Sequence, residues 1–311
     1  MVVAQLSNER VAYINGKIVP ESQALVSFRD RSFIYGDAVF DTTRTFAHKM
    51  FKVKEHIDRL YRSLRYVQID PGISPSELAK ISAEVCERNL HLIGKDEDYW
   101  VTQRISRGVD MPGDEFTAHT GPTIIVECRP LPLKARAKLF RDGIRIVVPS
   151  VRRAPAQSFS PRAKSHNYLN LIMADLEARS QDKEAWAVLL DLDGNVTEGM
   201  GSNYFMVQDG RLMTPRAKNV LPGISRQTVI DMAAKLGIPF EERDLDQYDM
   251  LTADEAFLTS TSLCICPVSS VNGAKVGDGK VPGPITQKLC KAYSEFVNFD
   301  FVAQYLRHLK A

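Results

Sequence analysis

Apolar and polar positions follow two rhythms along this chain, one with the period of a helix and one with that of a strand. In AYINGKIVP (residues 12–20), apolar residues flank Asn15-Gly16, a dipeptide that tolerates the positive backbone angles of a tight hairpin turn. A β-hairpin is predicted there. From residue 55, EHIDRLYRSLRYVQI places Ile57, Leu60, Leu64 and Val67 at helical spacing, and SELAKISAEVCERNL repeats the pattern from residue 76. YWVTQRISRG (99–108) and TIIVECRP (123–130) read as strands. The chain up to residue 130 is thus an α+β unit of its own, and Pro130 and Pro132 in CRPLPLK mark its exit. We expect a small α+β domain at 1–130, an interdomain linker at 131–136 and a large α/β domain at 137–311.

The second half is richer in strand patterns. IRIVVPSV (144–151), AWAVLLDLDGNVTEG (185–199), NYFMVQDGRLMTP (203–215) and EAFLTSTSLCICPVSSV (255–271) are strand candidates, broken by Asp-Gly turns at 193 and 209. Helices are predicted over 168–179 and from Ile224 to Gly237, a glycine placed to end the second before Ile238-Pro239. The fold class is α+β, built as two α/β lobes.

Composition narrows the class of partner. The 311 residues are 44% hydrophobic and 25% charged, with a net charge of +2, as expected of a soluble globular chain. Like charges do not cluster into a nucleic-acid or membrane footprint, and no apolar run approaches a membrane span, so small molecules are the expected partners. The start, MVVAQLSNER, lacks a basic region followed by an apolar core. A cytoplasmic location follows as an expectation. The five cysteines (86, 128, 264, 266, 290) show no CxxC pair and no zinc spacing, which favours reduced thiols and no metal site; Cys264 and Cys266 fit an alternating strand.

Four short stretches carry candidate chemistry. SPRAKSHNYLN (160–170) sets Lys164 in a cramped polar segment four residues before Tyr168. A surface loop accounts for this as well as an amine held near a cofactor. LPGISR (221–226) delivers a Pro-Gly turn into a helix start, where first-turn N–H groups lack helical partners and the Ser225 hydroxyl adds a donor. TSTS (259–262) is a second hydroxyl-rich turn. Both suit a phosphate, and both are also common as plain turns. In TEGMGSN (197–203), Gly199 and Gly201 let the backbone beside Glu198 approach another group closely, although a solvated hairpin carboxylate is the plainer explanation. A lysine amine, a helix start and hydroxyl turn for a phosphate, and a carboxylate for a protonated ring nitrogen are together what pyridoxal phosphate requires.

In order and spacing these motifs resemble the class IV, or fold-type IV, aminotransferases. That group includes branched-chain amino acid aminotransferases, D-amino acid aminotransferases, (R)-selective amine transaminases and aminodeoxychorismate lyases. The likeness runs from the AYINGKIVP hairpin to VNGAKVGDG near residue 280. It implies the fold-type IV fold, pyridoxal 5'-phosphate as cofactor, and a homodimer. It implies Lys164 as the Schiff-base lysine, Tyr168 as partner of the ring hydroxyl, and Glu198 as partner of the pyridine nitrogen. Arg59 in EHIDRL, Ile224, Ser225 and Thr261 would hold the phosphate; by pattern alone Arg59 is a solvated helix charge. Tyr35 and Phe40 in FIYGDAVFDTTRTF, with Ser262 and Leu263, would line the substrate pocket, the two aromatics otherwise being core residues.

The implied activity is ping-pong transfer of an amino group between an amino donor and a 2-oxo acid, of branched-chain type. The alternatives are an (R)-amine or D-amino acid transaminase, an aminodeoxychorismate-type lyase using the same lysine, and a non-catalytic binding protein on the same fold. One departure bears on the choice. Branched-chain enzymes place an arginine two residues after a tyrosine in the strand that here begins Tyr99-Trp100-Val101. Alternation puts Tyr99, Val101 and Gln103 on one face and Trp100, Thr102 and Arg104 on the other, so Arg104 does not stand in for that arginine unless a bulge changes the phase. Arg152 and Arg153, on the approach to Lys164, could meet a keto-acid carboxylate or could be solvated loop charges.

Overall fold

The computed structural model describes residues 8–113 and 115–310. The segment 1–7, which opens the stretch inspected for a leader, lies outside the described residues. Two compact units emerge: one runs to Leu131 and also takes in Ala163–Asn167, and the other holds Pro132–Arg162 and the chain from Tyr168 onward.

The first unit opens with the hairpin β1 (Val11–Ile14) and β2 (Lys17–Pro20), where Asn15 and Gly16 take φ of 44° and 92°. Positive angles at both turn positions match the right-handed strand twist, which is why Asn-Gly occupies them. Then follow α1 (Arg31–Tyr35), β3 (Ala38–Phe46), β4 (Lys49–Met50), α2 (Val53–Tyr66), α3 (Pro75–Asn89), β5 (Tyr99–Ser106) and β6 (Thr123–Pro130). The six strands form one sheet in the order β2-β1-β6-β5-β3-β4. Ile57, Leu60 and Leu64 of α2 and Leu78, Val85 and Cys86 of α3 make a buried core with Val39, Tyr99, Val101, Ile105 and Val126 of the sheet. That core fixes which face of each strand points toward the helices. Register between β3 and β5 is continuous from Ala38↔Ser106 to Arg44↔Trp100, so no bulge changes the phase of the Tyr99 strand.

The second unit contains α4 (Leu133–Asp142), β7 (Ile144–Val147), α5 (Leu169–Gln181), β8 (Trp186–Leu190), β9 (Val196–Gly199), β10 (Ser202–Gln208), β11 (Arg211–Pro215), α6 (Ile224–Lys235), β12 (Phe240–Arg243), α7 (Gln247–Thr252), β13 (Glu255–Ser260), β14 (Cys264–Val271), β15 (Ala274–Lys275), α8 (Pro284–Phe296) and α9 (Phe301–Arg307). Its nine-stranded sheet runs β12-β11-β10-β13-β14-β7-β8-β9, with β15 paired to β14 off this path, and β9 also pairs with β10. The sheet closes on itself there into a barrel, leaving those strands without a free edge. Gly237 follows α6 with φ of 65°, and its N–H bonds to the Ala234 carbonyl at 3.2 Å, ending the helix in the left-handed manner that glycine favours.

Two boundaries differ from the sequence expectation. Residues 133–136, assigned to a linker, are the first turn of α4, because Leu133, Ala137 and Phe140 recur at helical spacing and are buried. Residues 163–167 pack with the first unit although the chain on both sides of them belongs to the second, since His166 N–H bonds to Ala38 O at 2.9 Å beside β3. All five cysteines are buried, and none of them forms a disulfide among the described residues. Among the described residues, no helix is long and apolar enough to cross a membrane.

Candidate functional site

In the first unit the site grows from β3. Its alternation turns Val39 and Asp41 toward the helices, so a carboxylate enters the core with no water to solvate it. The compensation comes from α2. Arg59 donates from Nε to Asp41 Oδ2 at 2.8 Å and from Nη2 to Oδ1 at 2.7 Å, and His56 Nδ1 lies 2.7 Å from Oδ1. His56 and Arg59 are three residues apart, hence on one helix face. Burial by itself would push Asp41 up, but Arg59 and His56 outweigh it and hold the carboxyl well below the usual carboxylate range. Burial, opposed by Asp41, keeps His56 below its ordinary value.

The same helix face holds the lysine segment. Ser63, one turn beyond Arg59, donates its hydroxyl to Arg59 O at 3.1 Å and accepts the Lys164 N–H at 3.2 Å. On the other side, Phe40 N–H donates to Lys164 O at 2.9 Å. Lys164 is thereby clamped through its backbone, and its Nζ lies 4.5 Å from the centroid of the Phe40 ring. A cation over an aromatic face is attracted by the ring quadrupole. So Lys164 and Arg59 belong to one bonded cluster, and Arg59 is buried, not the solvated charge its pattern predicts.

In the second unit Glu198 sits on β9, 6% exposed. Its Oε1 accepts from Arg153 Nε and Nη2 at 3.2 and 3.1 Å, and its Oε2 accepts the Leu221 N–H at 2.9 Å. Arg153, expected to meet either a keto-acid carboxylate or solvent, is half-buried and paired with the Glu198 carboxylate. Arg152 is exposed. Gly199 is needed here, since a Cβ would come within 2.6 Å of Ser202 Oγ and 2.9 Å of Ala187 O; at Gly201 the space is open. Asn203, paired in register with Glu198, donates to Leu221 O at 3.0 Å. The carboxylate and the approach to α6 are therefore tied together.

That approach ends in a helix start with no side-chain cap at Gly223. A Cβ there would collide with Asn203 Oδ1, so the turn comes close to β10 only because residue 223 is glycine. Ser225 is buried and donates its hydroxyl to Ser260 O at 3.0 Å, which joins the start of α6 to the turn after β13. In that turn Ser262 bonds to Arg136 of α4, Leu263 N–H donates to Ser260 Oγ at 3.1 Å, and Tyr305 donates its hydroxyl to Ser262 O at 2.9 Å. Ile224 and Thr261 are half-buried beside these groups, Leu263 is fully buried, and Tyr168 stands at the cap of α5, half-buried.

Of the remaining pocket candidates, Phe40 lies under Lys164, whereas Tyr35 is exposed on α1, its ring 5.2 Å from that of Phe116. Sequence reasoning missed Asp41, His56, Asn203 and Arg136. One signal was available: an aspartate at an inward position of VFDTTRTF requires a buried cation, and EHIDRL supplies it.

The comparisons with known proteins agree on one family. A family model described as Amino-transferase class IV matches residues 38–271. A Methanocaldococcus jannaschii protein that carries a provisional branched-chain-amino-acid aminotransferase name is 37% identical over 284 residues, 91% of this chain and 95% of its own. The D-alanine aminotransferase of Listeria monocytogenes is 32% identical over 286 residues, 91% of this chain and 94% of its own. The branched-chain amino acid aminotransferase of Thermobaculum terrenum, solved in its PLP form, superposes with a TM-score of 0.81 at 26% identity, covering 97% of this chain and 97% of that one. The chain belongs to the class IV aminotransferases and is a transaminase.

Proposed function

We propose that this chain uses pyridoxal 5'-phosphate to move an amino group from a branched-chain L-amino acid to a 2-oxo acid, by a ping-pong mechanism. The observation that carries the reading is the backbone clamp on Lys164 by Ser63 and Phe40, on the same helix face that presents Arg59. The donor set suits a phosphorylated pyridine. The uncapped start of α6 with Ser225 offers N–H and O–H groups to an anion, and Glu198 keeps a buried carboxylate for a ring nitrogen. Arg59, Ile224, Ser225 and Thr261 would hold the phosphate, Glu198 the pyridine nitrogen, and Tyr168 the ring hydroxyl.

Once bound, the cofactor supplies an aldehyde that condenses with amines and a ring that withdraws electrons from the bond being broken. Lys164 Nζ would first hold that aldehyde and then, freed, take the proton from the substrate carbon and return it one position away. Phe40 positions Nζ without offering a competing carboxylate. Arg153 holds the Glu198 carboxylate in place through two hydrogen bonds, and Asp41 holds the Arg59 fork in a fixed plane.

The branched-chain assignment follows the names of two of the relatives. A second reading, transfer from D-amino acids, has its own support: the strand position two after Tyr99 is Val101, fully buried in the core, where a branched-chain enzyme would place an arginine. The test mixes the purified protein and cofactor separately with L-leucine, D-alanine and (R)-1-phenylethylamine and follows loss of the cofactor's visible absorbance. L-Leucine is expected to react fastest, with parallel double-reciprocal lines against 2-oxoglutarate. Faster reaction with D-alanine would transfer the assignment to the second reading.

We propose further that the protein works as a homodimer. Leu25, Phe28, Phe33, Ile34, Tyr35 and Phe116 are all exposed on the first unit, more apolar surface than scattered single residues leave. Light scattering should give twice the 34.9 kDa chain mass; a monomer with full activity would sink the idea.

A further inference from the structure

Arg104 stands on β5 directly opposite Phe40 of β3. Both point away from the face that carries Tyr99, Val101 and Ile105 into the helix-packed core. The Arg104 guanidinium carbon lies 5.4 Å from the centroid of the Phe40 ring, the same ring that has Lys164 Nζ at 4.5 Å. A fixed guanidinium and the reacting amine therefore share one aromatic platform.

The way Arg104 is held leaves part of it available. Glu127 of β6 accepts from Nε at 3.0 Å and from Nη2 at 2.9 Å with a single oxygen, Oε1. Nη1 makes no hydrogen bond among the described residues. Arg129 also approaches Glu127 Oε1, at 3.8 Å, so one carboxylate is shared between two guanidinium groups and the local balance stays positive. The Arg104 side chain is 29% exposed, open enough to be reached and restrained enough to keep its plane. Burial and the nearby Arg104 hold His166, whose ring lies 5.4 Å from Phe40, down to about 4, so the imidazole is neutral and adds no competing charge at neutral pH.

We infer that Arg104 receives the carboxylate of the substrate through its Nη1 edge, with Glu127 as the positioning residue that fixes the guanidinium plane. A planar fork that already spends one edge on Glu127 still presents a charge-assisted donor to a second carboxylate. The enzyme then takes amino acids and 2-oxo acids in preference to amines without a carboxylate. This rests on the aminotransferase reading, with Lys164 as the reacting amine.

The test uses the cofactor-loaded enzyme and two measurements. Binding of 4-methylpentanoate, an unreactive carboxylate, is read by calorimetry, and the single-turnover rate with L-leucine is compared with that for 1-phenylethylamine. Arg104→Gln is expected to weaken 4-methylpentanoate binding about 10- to 100-fold and to lower the leucine rate in proportion, with the amine rate held within about twofold. Arg104→Gln combined with Glu127→Gln, which leaves no unpaired carboxylate behind and only the half-exposed Arg129 without its distant partner, should show the same loss with a melting temperature close to that of the wild type. Glu127→Gln alone should tighten the carboxylate. Unchanged 4-methylpentanoate affinity in both Arg104 variants, or equal loss with leucine and amine, would overturn the assignment. A wild type that reacts with no donor at all would instead remove the aminotransferase reading, and the calorimetric comparison would still report on Arg104.

Discussion

Lys164→Ala is expected to lower single-turnover transamination of L-leucine by at least about 10⁴-fold while leaving the fold intact. The size of the effect follows from the two tasks the amine performs, holding the cofactor aldehyde and moving the substrate proton, neither of which another nearby side chain can take over. His56 is buried and committed to Asp41 at 2.7 Å, and His166, held down to about 4 by burial and Arg104, is too weak a base to replace the amine. The fold should survive because the contacts that place residue 164 are made by its backbone, through Ser63 and Phe40. Alanine keeps both. A second readout separates loss of chemistry from loss of cofactor. After borohydride reduction, the wild type should carry the cofactor covalently by intact mass, and the variant should carry none even where equilibrium dialysis finds it bound. Turnover within tenfold of wild type would show that Lys164 is not the reacting amine.

Asp41→Ala should be the most destabilising single change in the first unit, costing about 3–5 kcal/mol, because it leaves Arg59 charged, buried and without its bidentate partner. Chemical unfolding of the cofactor-free protein, followed through the first transition, measures this. Affinity for pyridoxal phosphate should fall as well, since Asp41 fixes the plane of the guanidinium proposed to meet the phosphate. The pH profile offers an independent check. With the Asp41 carboxyl held far below its ordinary value of 3.8, its stabilisation is complete above that range and is lost as pH falls through the folded-state value. His56, also held below its ordinary 6.5, binds its proton more readily when unfolded, so stability declines as pH falls below about that point. Both groups act in the same direction. Asp41→Ala should flatten the wild-type decline below about pH 4. An unchanged unfolding midpoint at neutral pH would mean that Arg59 finds another partner.

The elements were legible from the sequence to within a few residues wherever a pattern ran long enough to be periodic. The Asn15-Gly16 hairpin, the Ile57/Leu60/Leu64 stripe and the strands at 99–106 and 123–130 all follow from local chemistry, in which neighbours along the chain decide the conformation. The linker did not follow. Pro130 and Pro132 announce a break, but the buried spacing of Leu133, Ala137 and Phe140 continues the chain at once into a helix. The charged side chains were the least legible. Arg153 reads as a loop charge and is the partner of Glu198, 45 residues away; Arg59 reads as a solvated helix residue and is buried against Asp41, 18 residues away.

The sequence by itself determined the two-lobed α+β plan, the family, and the residue types needed for an amine, a phosphate and a ring nitrogen. These are carried by short runs whose meaning depends on their own order and spacing. Only the tertiary structure decided which acid holds which arginine, which face of β5 carries Arg104, and that Lys164 is gripped from β3 and α2 through its backbone. Each of those depends on strand register and on which groups are taken out of water together. Ion pairing in a desolvated interior is strong enough to override any local preference for solvent, and its partners lie far apart in the chain.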